Sequence, residues 1–193
     1  MLKDNDILMT LMKRVASGDE AAFEQLVTAF EMPVYNLAYS GLRHRQDAED
    51  VTQEVFLRLW RTRGDFRGEC SVRTYVMHIA HNVITDSLRR RTSRAVTDLP
   101  DDIDDDEAPR RELADSTDLQ AEYIQREREE AVRRAINSLE PDTRELIIMR
   151  DINGMSYADI AVATGVPMGT VKSRLSRARD QLKEFLKKGN FFV

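Results

Sequence analysis

A predicted helix near the end of the chain, Pro167–Lys187, carries side chains suited to binding nucleic acid. Hydroxyl and cationic groups on an exposed helix face can reach both phosphates and base edges. A run of charge alone would equally suit a solvated helix in an all-helical bundle, so the neighbouring sequence has to decide. The polar side of this helix holds Thr170, Lys172, Ser173, Ser176 and Arg177, with Arg174 and Arg179 on its flanks.

The preceding segment indicates how this helix is positioned. Ser156 is a suitable N-cap for a short helix Tyr157–Thr164, and Gly165 suits the left-handed residue that ends such a helix. Ala161 is small where two helices must approach closely. A short helix, a tight turn and a longer helix form a helix-turn-helix, whose second helix enters the major groove of DNA. The apolar stripe of the longer helix is Val171, Leu175, Ala178 and Leu182.

A second set of polar residues lies on the predicted helix Ser71–Arg91, beside a core stripe of Val72, Val76, Ile79 and Val83. An aromatic ring can stack on a base, an amide can bind a base edge and arginines can hold phosphate, so this face suits single-stranded or melted nucleic acid. Alternatively, arginines at a helix C-terminus complement the macrodipole, which accounts for one or two of them. The turn Asp65–Cys70 is expected to form a small pocket beside Asn82. The face comprises Tyr75, His78, Asn82, Thr85 and Arg89.

The predicted helix Gln46–Arg63 has a buried stripe and a distinct second side. On that side an exposed leucine, Leu57, lies among carboxylates, which suggests a docking face for a partner helix. The residues alone favour the alternative, a solvated helix face with one stray leucine. The stripe is Ala48, Val51, Val55 and Leu59, and the second side is Asp50, Gln53, Glu54, Leu57 and Arg61.

The sequence shows no catalytic constellation: we find no glycine-rich phosphate loop and no nucleophile–base pair. His78 and His81 have the spacing H-x-x-H, and a metal-dependent helical enzyme is one alternative function. A metal site would need further ligands, and the nearby sequence offers only Cys70. We therefore expect no catalytic residue, no metal and no cofactor.

Composition restricts the setting. The 193 residues carry a net charge of -5, so a nucleic-acid surface must be a local patch. The single cysteine, Cys70, excludes an intramolecular disulfide and fits a reducing compartment. The N-terminus does not resemble a signal peptide, and no segment is long and apolar enough to span a bilayer. We expect a cytoplasmic protein.

Helical periodicity covers nearly the whole chain and predicts an all-α fold. The pattern fails in residues 92–118, where two prolines and a dense acidic run predict a flexible linker. We therefore predict two small helical domains, residues 1–91 and 119–193, whose relative arrangement the sequence leaves open. The predicted helices are Asp6–Ala16, Asp19–Leu42, Gln46–Arg63, Ser71–Arg91, Leu119–Ser138, Pro141–Asp151, Tyr157–Thr164 and Pro167–Lys187.

Four motifs, in this order, closely resemble bacterial RNA polymerase sigma factors. Within that family they resemble the short extracytoplasmic-function (ECF) group, which keeps only conserved regions two and four. The resemblance covers nearly the whole chain apart from the acidic linker. The motifs are DAEDVTQEVFLRLW (Asp47–Trp60), FRGECSVRTYVMHIAHN (Phe66–Asn82), LEPDTRELIIMRDINGMSYADIA (Leu139–Ala161) and GTVKSRLSRAR (Gly169–Arg179).

The resemblance implies roles for three sets of residues. In region two, one helix face binds the clamp helices of the polymerase β′ subunit, and a second set reads the minus-ten element and captures a flipped base of its non-template strand. In region four, the recognition helix reads the minus-thirty-five element. Tyr75 stands where this group usually has Trp, and His78 replaces a commonly basic position. The implied sets are Asp50, Gln53, Glu54 and Leu57 for the clamp helices; Phe66, Arg67, Tyr75, Ile79, Asn82 and Arg89 for the minus-ten element; and Thr170, Lys172, Ser173, Arg174, Ser176 and Arg177 for the minus-thirty-five element.

The same resemblance implies the partners. They are core RNA polymerase, contacted at the β′ clamp helices and the β flap, promoter DNA, and an anti-sigma factor that masks these surfaces. It also implies that the acidic linker threads the polymerase interior toward the RNA exit channel. The alternative is a regulator with a helix-turn-helix of the response-regulator output type. Such a regulator would need a sensing domain with alternating strands, and the N-terminal half shows none.

Overall fold

The structure, a computed structural model, describes the backbone of residues 2–95 and 119–189 and the side chains of residues 5–91 and 127–189. Within these ranges every regular element is helical, which confirms the predicted all-α fold. In the same ranges, no helix combines the length and the apolar character needed to cross a membrane. The elements are α1 (Leu2–Ala16), α2 (Glu20–Leu42), α3 (Arg45–Arg61), α4 (Val72–Ala95), α5 (Leu119–Asn137), α6 (Pro141–Ile147), a π-helical turn (Ile148–Ile152), α7 (Tyr157–Thr164) and α8 (Met168–Lys188).

Local capping explains where several helices begin and end. Asp19 accepts a hydrogen bond from the Ala22 amide at 3.0 Å, so α2 begins at the following residue. Ser156 and Asp159 form a reciprocal capping box at the start of α7. Gly165 ends α7 in the left-handed conformation, with φ of 70°. The predicted helix-turn-helix is therefore present with the expected caps.

Three predicted helices differ from the structure by four residues at one end. Helix α1 begins at Leu2 and not at the predicted Asp6. The predicted helix Pro141–Asp151 is α-helical only to Ile147, after which the chain widens into the π-helical turn. There the Asn153 amide donates to the Ile148 carbonyl, five residues earlier, at 2.8 Å. Helix α4 continues to Ala95, past the predicted end at Arg91. The first residues of the predicted linker are thus helical, and residues 96–118 lie outside the described part of the chain.

Helices α1–α4 form the N-terminal lobe. Its core contains large, fully buried side chains from all four helices, and the apolar stripes predicted for α3 and α4 are buried. Burial of these stripes fixes the orientation of the two helices. The polar residues on the other sides of each helix must therefore face solvent or another helix. The fully buried side chains include Met12, Leu26, Phe30, Leu37, Leu59 and Met77.

Helices α5–α8 form the C-terminal lobe, which holds the helix-turn-helix. Val171, Leu175 and Ala178 of α8 are completely buried, and Leu182 is partly buried against the same core. The predicted stripe of α8 is therefore confirmed, with its last residue at the margin. Ile160 and Ala163 of α7 are also buried.

The two lobes pack against each other. Helix α4 lies against α7, and α2 lies against α6 and the π-helical turn. Apart from Ala131 and Ala135 of α5, the buried apolar residues described in both lobes form one continuous cluster. The sequence left this arrangement open, and the division of the chain into two domains stays a prediction.

Candidate nucleic-acid interface

The polar face of α8 points away from the core. Lys172, Ser173, Ser176 and Arg177 are exposed, whereas Thr170 and Arg174 are partly buried. Arg174 Nη1 lies 3.6 Å from Asp142 Oδ2, so this arginine also contacts the start of α6. Helix α8 therefore presents cationic and hydroxyl side chains on an exposed face, as a helix that reads the major groove requires.

Arg179 holds α8 against the π-helical turn. Its Nη2 lies 2.6 Å from Asp151 Oδ1 and its Nε lies 3.2 Å from Asp151 Oδ2, and Nη1 donates to the Tyr157 hydroxyl at 3.3 Å. The hydrogen bond from Arg179 lowers the pKa of Tyr157, because it favours the phenolate. Arg179 thus links three elements of the C-terminal lobe and positions the recognition helix. No local sequence signal marks this contact, because Arg179 and Asp151 are 28 residues apart.

The minus-ten set separates into exposed and packed residues. Arg67, Asn82 and Arg89 are exposed, and Phe66 and Tyr75 are partly buried with ring centroids 5.1 Å apart. The Tyr75 hydroxyl donates to the Thr62 carbonyl at 3.2 Å, which ties the ring to the end of α3.

Ile79 is only 7% exposed and belongs to the core. This agrees with its place in the predicted core stripe, and the role of Ile79 in a base pocket stays a prediction. The preceding turn has the predicted irregular backbone, with Gly68 at a φ of 77°. A left-handed residue there suits glycine and reverses the chain ahead of α4.

The outer side of α3 borders an open groove of about 600 Å³ between α2 and α3. Leu57 is 52% exposed at its edge, and Asp50 and Gln53 are also exposed. Glu54 is partly buried and lies 3.7 Å from Arg58. Sequence reasoning found only the α3 side of this groove. The apolar lining includes Phe23 and Val27 from α2 and Phe56, Leu57 and Trp60 from α3, and the rim carries Glu20, Glu24 and Glu31.

His78 and His81 have separate partners. His78 Nδ1 lies 2.9 Å from the Ala163 carbonyl oxygen, and His81 Nδ1 lies 2.7 Å from Glu145 Oε1. The hydrogen bond with Glu145 raises the pKa of His81. Among the residues whose side chains are described, no three His, Cys, Asp or Glu residues are grouped as metal ligands would be. Both histidines instead contact the other lobe, a role that their spacing did not indicate.

These elements define a two-lobed, all-helical protein with a helix-turn-helix in its second lobe. Comparison with known families identifies both lobes. The family model for sigma-70 region 2 matches residues 26–94, and the model for sigma-70 region 4 matches residues 129–182.

Individual relatives agree with this assignment. The chain is 36% identical to the ECF RNA polymerase sigma factor SigE of Mycolicibacterium smegmatis, in an alignment that covers 90% of this chain and 66% of that relative. It is 33% identical to the RNA polymerase sigma-H factor of Pseudomonas aeruginosa, with 91% of this chain and 92% of that relative covered.

Among solved structures, the chain resembles the sigma factor RpoE of Bartonella quintana, which was crystallised with the anti-sigma factor NepR. The TM-score is 0.69 and the identity is 28%, over 86% of this chain and 96% of that one. Together with the curated relatives, these matches show that the chain belongs to the ECF group of sigma-70 family RNA polymerase sigma factors. Sigma factors are initiation factors and not enzymes, so family membership removes the enzyme and response-regulator alternatives.

Proposed function

We propose that this chain binds core RNA polymerase and directs it to promoters, reading the minus-thirty-five element as duplex and the minus-ten element as melted non-template strand. The observation that carries the proposal is the presence of two different polar faces on one sigma-family chain. One is the exposed face of α8 in a helix-turn-helix, and the other comprises the exposed Arg67, Asn82 and Arg89 of the N-terminal lobe, which also carries the paired rings of Phe66 and Tyr75.

The duplex reader is α8. Lys172 and Arg177 are long, exposed cations that can reach phosphates or guanine edges, and Ser173 and Ser176 lie between them on the same face. Arg174 and Thr170 lie at the border of this face. We assign them to the phosphate backbone of the DNA. The contact between Arg179 and Asp151 holds α8 in place before DNA arrives, which lowers the ordering cost of binding.

The melted strand is bound by the N-terminal lobe. Phe66 and Tyr75 supply a partly exposed aromatic surface on which a base can stack, and Asn82 supplies an amide for a base edge. Arg67 and Arg89 hold phosphate, while Ile79 forms the apolar wall. Everting a base costs a few kcal/mol, and these contacts offset that cost only once the strands have separated. The factor thereby favours the melted state.

Core polymerase docks in the groove between α2 and α3. Leu57 at its edge and the rings of Phe23 and Trp60, with centroids 4.9 Å apart, offer an apolar seat for a helix. The acidic rim selects a helix that carries positive charge beside its apolar stripe. We assign this seat to the β′ clamp helices, with Asp50, Gln53 and Glu54 at its border, and a second contact to the β flap on the C-terminal lobe.

We also propose a regulator, a cellular location and a domain division for this protein. Since the related RpoE of Bartonella quintana was crystallised with an anti-sigma factor, we assign this chain a regulator of the same kind, which covers the surfaces described above. We place the protein in the cytoplasm and divide it at residues 1–91, 92–118 and 119–193, with the acidic middle segment inside the polymerase.

Run-off transcription with purified core polymerase on a panel of promoters tests this function. The full chain should bind core polymerase without DNA and support initiation at a subset of promoters. Absence of binding and of initiation on every promoter would overturn the proposal. The Asn82→Ala variant tests the base pocket separately. If this variant supports initiation and opens the minus-ten region as wild type does, the protein is still an initiation factor, but the assigned base pocket is wrong.

A further inference from the structure

A side-chain contact joins the end of α3 to the first turn of α4, across the irregular turn between them. The Tyr75 hydroxyl lies 3.2 Å from the Thr62 carbonyl oxygen and 3.3 Å from Thr62 Oγ1. Thr62 is the residue that ends α3, and it lies 13 positions before Tyr75 in the chain. We call this contact the Thr62 anchor.

The donors and acceptors of the Thr62 anchor follow from its neighbours. The Thr62 hydroxyl donates its own hydrogen to the Arg58 carbonyl at 2.9 Å, so Oγ1 faces Tyr75 as an acceptor. The phenol has one hydrogen, which the carbonyl oxygen and Oγ1 of Thr62 must share. Sharing accounts for distances longer than those of a simple hydroxyl bond. Both oxygens of Thr62 therefore hold the same phenol.

The Thr62 anchor also fixes the aromatic pair of the proposed base pocket. The Phe66 ring lies against the Tyr75 ring, with 5.1 Å between centroids and an interplanar angle of 51°. The Thr62 carbonyl additionally accepts the Asp65 amide hydrogen at 2.9 Å. One carbonyl thus holds both the start of the turn that carries Phe66 and the ring on which Phe66 packs.

The orientation of the Tyr75 ring matters because Tyr75 and Asn82 share one face of α4. They are seven residues apart, which is about two helical turns or about 10 Å along the helix axis. A base that stacks on the rings and reaches the amide must fit between them. A ring that changes rotamer would have to be ordered when the base arrives, whereas a ring that is already held would not.

A phenol suits this contact better than the other aromatic side chains. Phenylalanine lacks a polar hydrogen, and tryptophan carries its polar hydrogen on the indole nitrogen, at another position of the ring system. Tyr75 stands where the ECF group usually has Trp. The Thr62 anchor therefore depends on a residue that distinguishes this chain from the usual pattern.

We propose that Thr62 is a positioning residue of the minus-ten base pocket: through the Tyr75 hydroxyl it holds the rings of Tyr75 and Phe66 in the orientation that receives an everted base. This inference rests on the proposed function of the N-terminal lobe. Thr62 acts through Tyr75 and not on the DNA itself. Because the rings are ordered before the strands separate, base capture costs less conformational entropy.

Three substitutions separate the Thr62 anchor from the rings. Tyr75→Phe keeps the ring and removes the phenolic hydrogen, Thr62→Val keeps the shape and removes Oγ1, and Thr62→Ser retains the hydroxyl. The matched control is Thr10→Val on α1, because Thr10 Oγ1 donates to a carbonyl four residues earlier at 2.9 Å, as Thr62 Oγ1 does. Each full-chain variant is assembled with core polymerase into holoenzyme.

The measurement is base discrimination on a promoter that the wild-type holoenzyme opens. The minus-ten region is supplied as a pre-melted bubble, and an abasic site replaces each non-template nucleotide in turn. The discrimination ratio is the affinity for the intact bubble divided by the affinity for the abasic bubble, at the position where wild type is most sensitive. A variant that only lowers the folded fraction weakens binding to every bubble equally and leaves this ratio unchanged. A misplaced pair of rings lowers the ratio.

Tyr75→Phe should lower the discrimination ratio about two- to five-fold, the lower part of the range for one hydrogen bond, because the phenolic hydrogen is shared. Thr62→Val should lower the ratio less, since the carbonyl remains, and should have no further effect in the Tyr75→Phe background. Thr62→Ser and Thr10→Val should match wild type. An unchanged ratio in Tyr75→Phe, or equal effects of Thr62→Val in both backgrounds, would refute the positioning role of Thr62.

Failure of this inference is distinguishable from failure of the proposed function. If wild type discriminates at one position and Tyr75→Phe discriminates equally well, Thr62 has no positioning role and the base pocket stands. If the wild-type holoenzyme opens promoters but binds every abasic bubble as tightly as the intact bubble, base capture is wrong and the role of Thr62 is rejected with it. If wild type supports no initiation, the proposed function itself fails.

Discussion

Arg179 of the recognition helix binds Asp151 of the π-helical turn through two nitrogen–oxygen contacts, at 2.6 and 3.2 Å. A planar guanidinium that meets both carboxylate oxygens fixes orientation as well as distance. Arg179, on the flank of the reading face, is thereby engaged in a contact within the protein, whereas Arg177 lies exposed on the face itself. We therefore assign different roles to these two arginines, which are two positions apart. Arg179 positions the recognition helix, and Arg177 contacts the DNA.

This difference predicts that alanine substitution of Arg179 mainly affects stability, whereas alanine substitution of Arg177 mainly affects DNA binding. Arg179→Ala should lower the free energy of unfolding by up to about 1 kcal/mol, because the pair is largely exposed. Arg177→Ala should leave stability within about 0.5 kcal/mol and weaken binding to the upstream element by about 1–3 kcal/mol. Urea unfolding and gel shifts with holoenzyme measure the two effects. Equal upstream affinity of the Arg177→Ala and wild-type holoenzymes would contradict the assignment of the α8 face.

Asn82→Ala should impair strand opening more than duplex binding, because its amide is proposed to hold a base that is available only after melting. Permanganate footprinting of the minus-ten region should show reduced reactivity, while binding of duplex upstream DNA by holoenzyme should be unchanged. Gln25→Ala, which removes an exposed side-chain amide on α2, is the matched control and should footprint like wild type. Equal footprints for Asn82→Ala and the control would reject the pocket.

Leu57→Ala should weaken binding to core polymerase by more than about 1 kcal/mol, because this side chain edges the apolar groove between α2 and α3. Ile7→Ala on α1 removes an equally exposed aliphatic side chain outside the groove. Both variants should unfold within about 0.5 kcal/mol of wild type, since neither side chain is buried. Fluorescence titration with core polymerase measures the affinity of each variant. If both substitutions weaken binding to core polymerase equally, the groove is not the docking site.

The pair of His81 and Glu145 predicts a pH dependence. Glu145 raises the pKa of His81 above its ordinary value of 6.5. A raised folded-state pKa means that the charged form stabilises the folded protein. This contribution is complete below pH 6.5 and is lost as the pH rises through the raised folded-state value.

The measurement is the free energy of unfolding of wild type and His81→Ala from pH 5.5 to 8.5. The wild-type advantage should shrink with rising pH across this interval. A difference that is constant, or that grows toward alkaline pH, would show that the pair does not contribute in the proposed way.

Local features of the chain were predictable because their causes are local. Hydrogen bonds to Ser156, the left-handed Gly165 and the three- and four-residue spacing of Val171, Leu175 and Ala178 act within a few turns of chain. The helices, their inward faces and the helix-turn-helix follow from such features. The π-helical turn was not predictable, because apolar spacing does not reveal which carbonyl a given amide will bind.

The sequence by itself determined a helical protein, its exposed cationic and aromatic faces and its membership in a family. Only the tertiary structure decided that Phe23 completes a groove begun by Leu57, and that His81 meets Glu145 across 64 residues of chain. The physical reason is that periodicity and caps specify which side of a helix is buried, whereas the partner that covers it depends on how all the helices pack together.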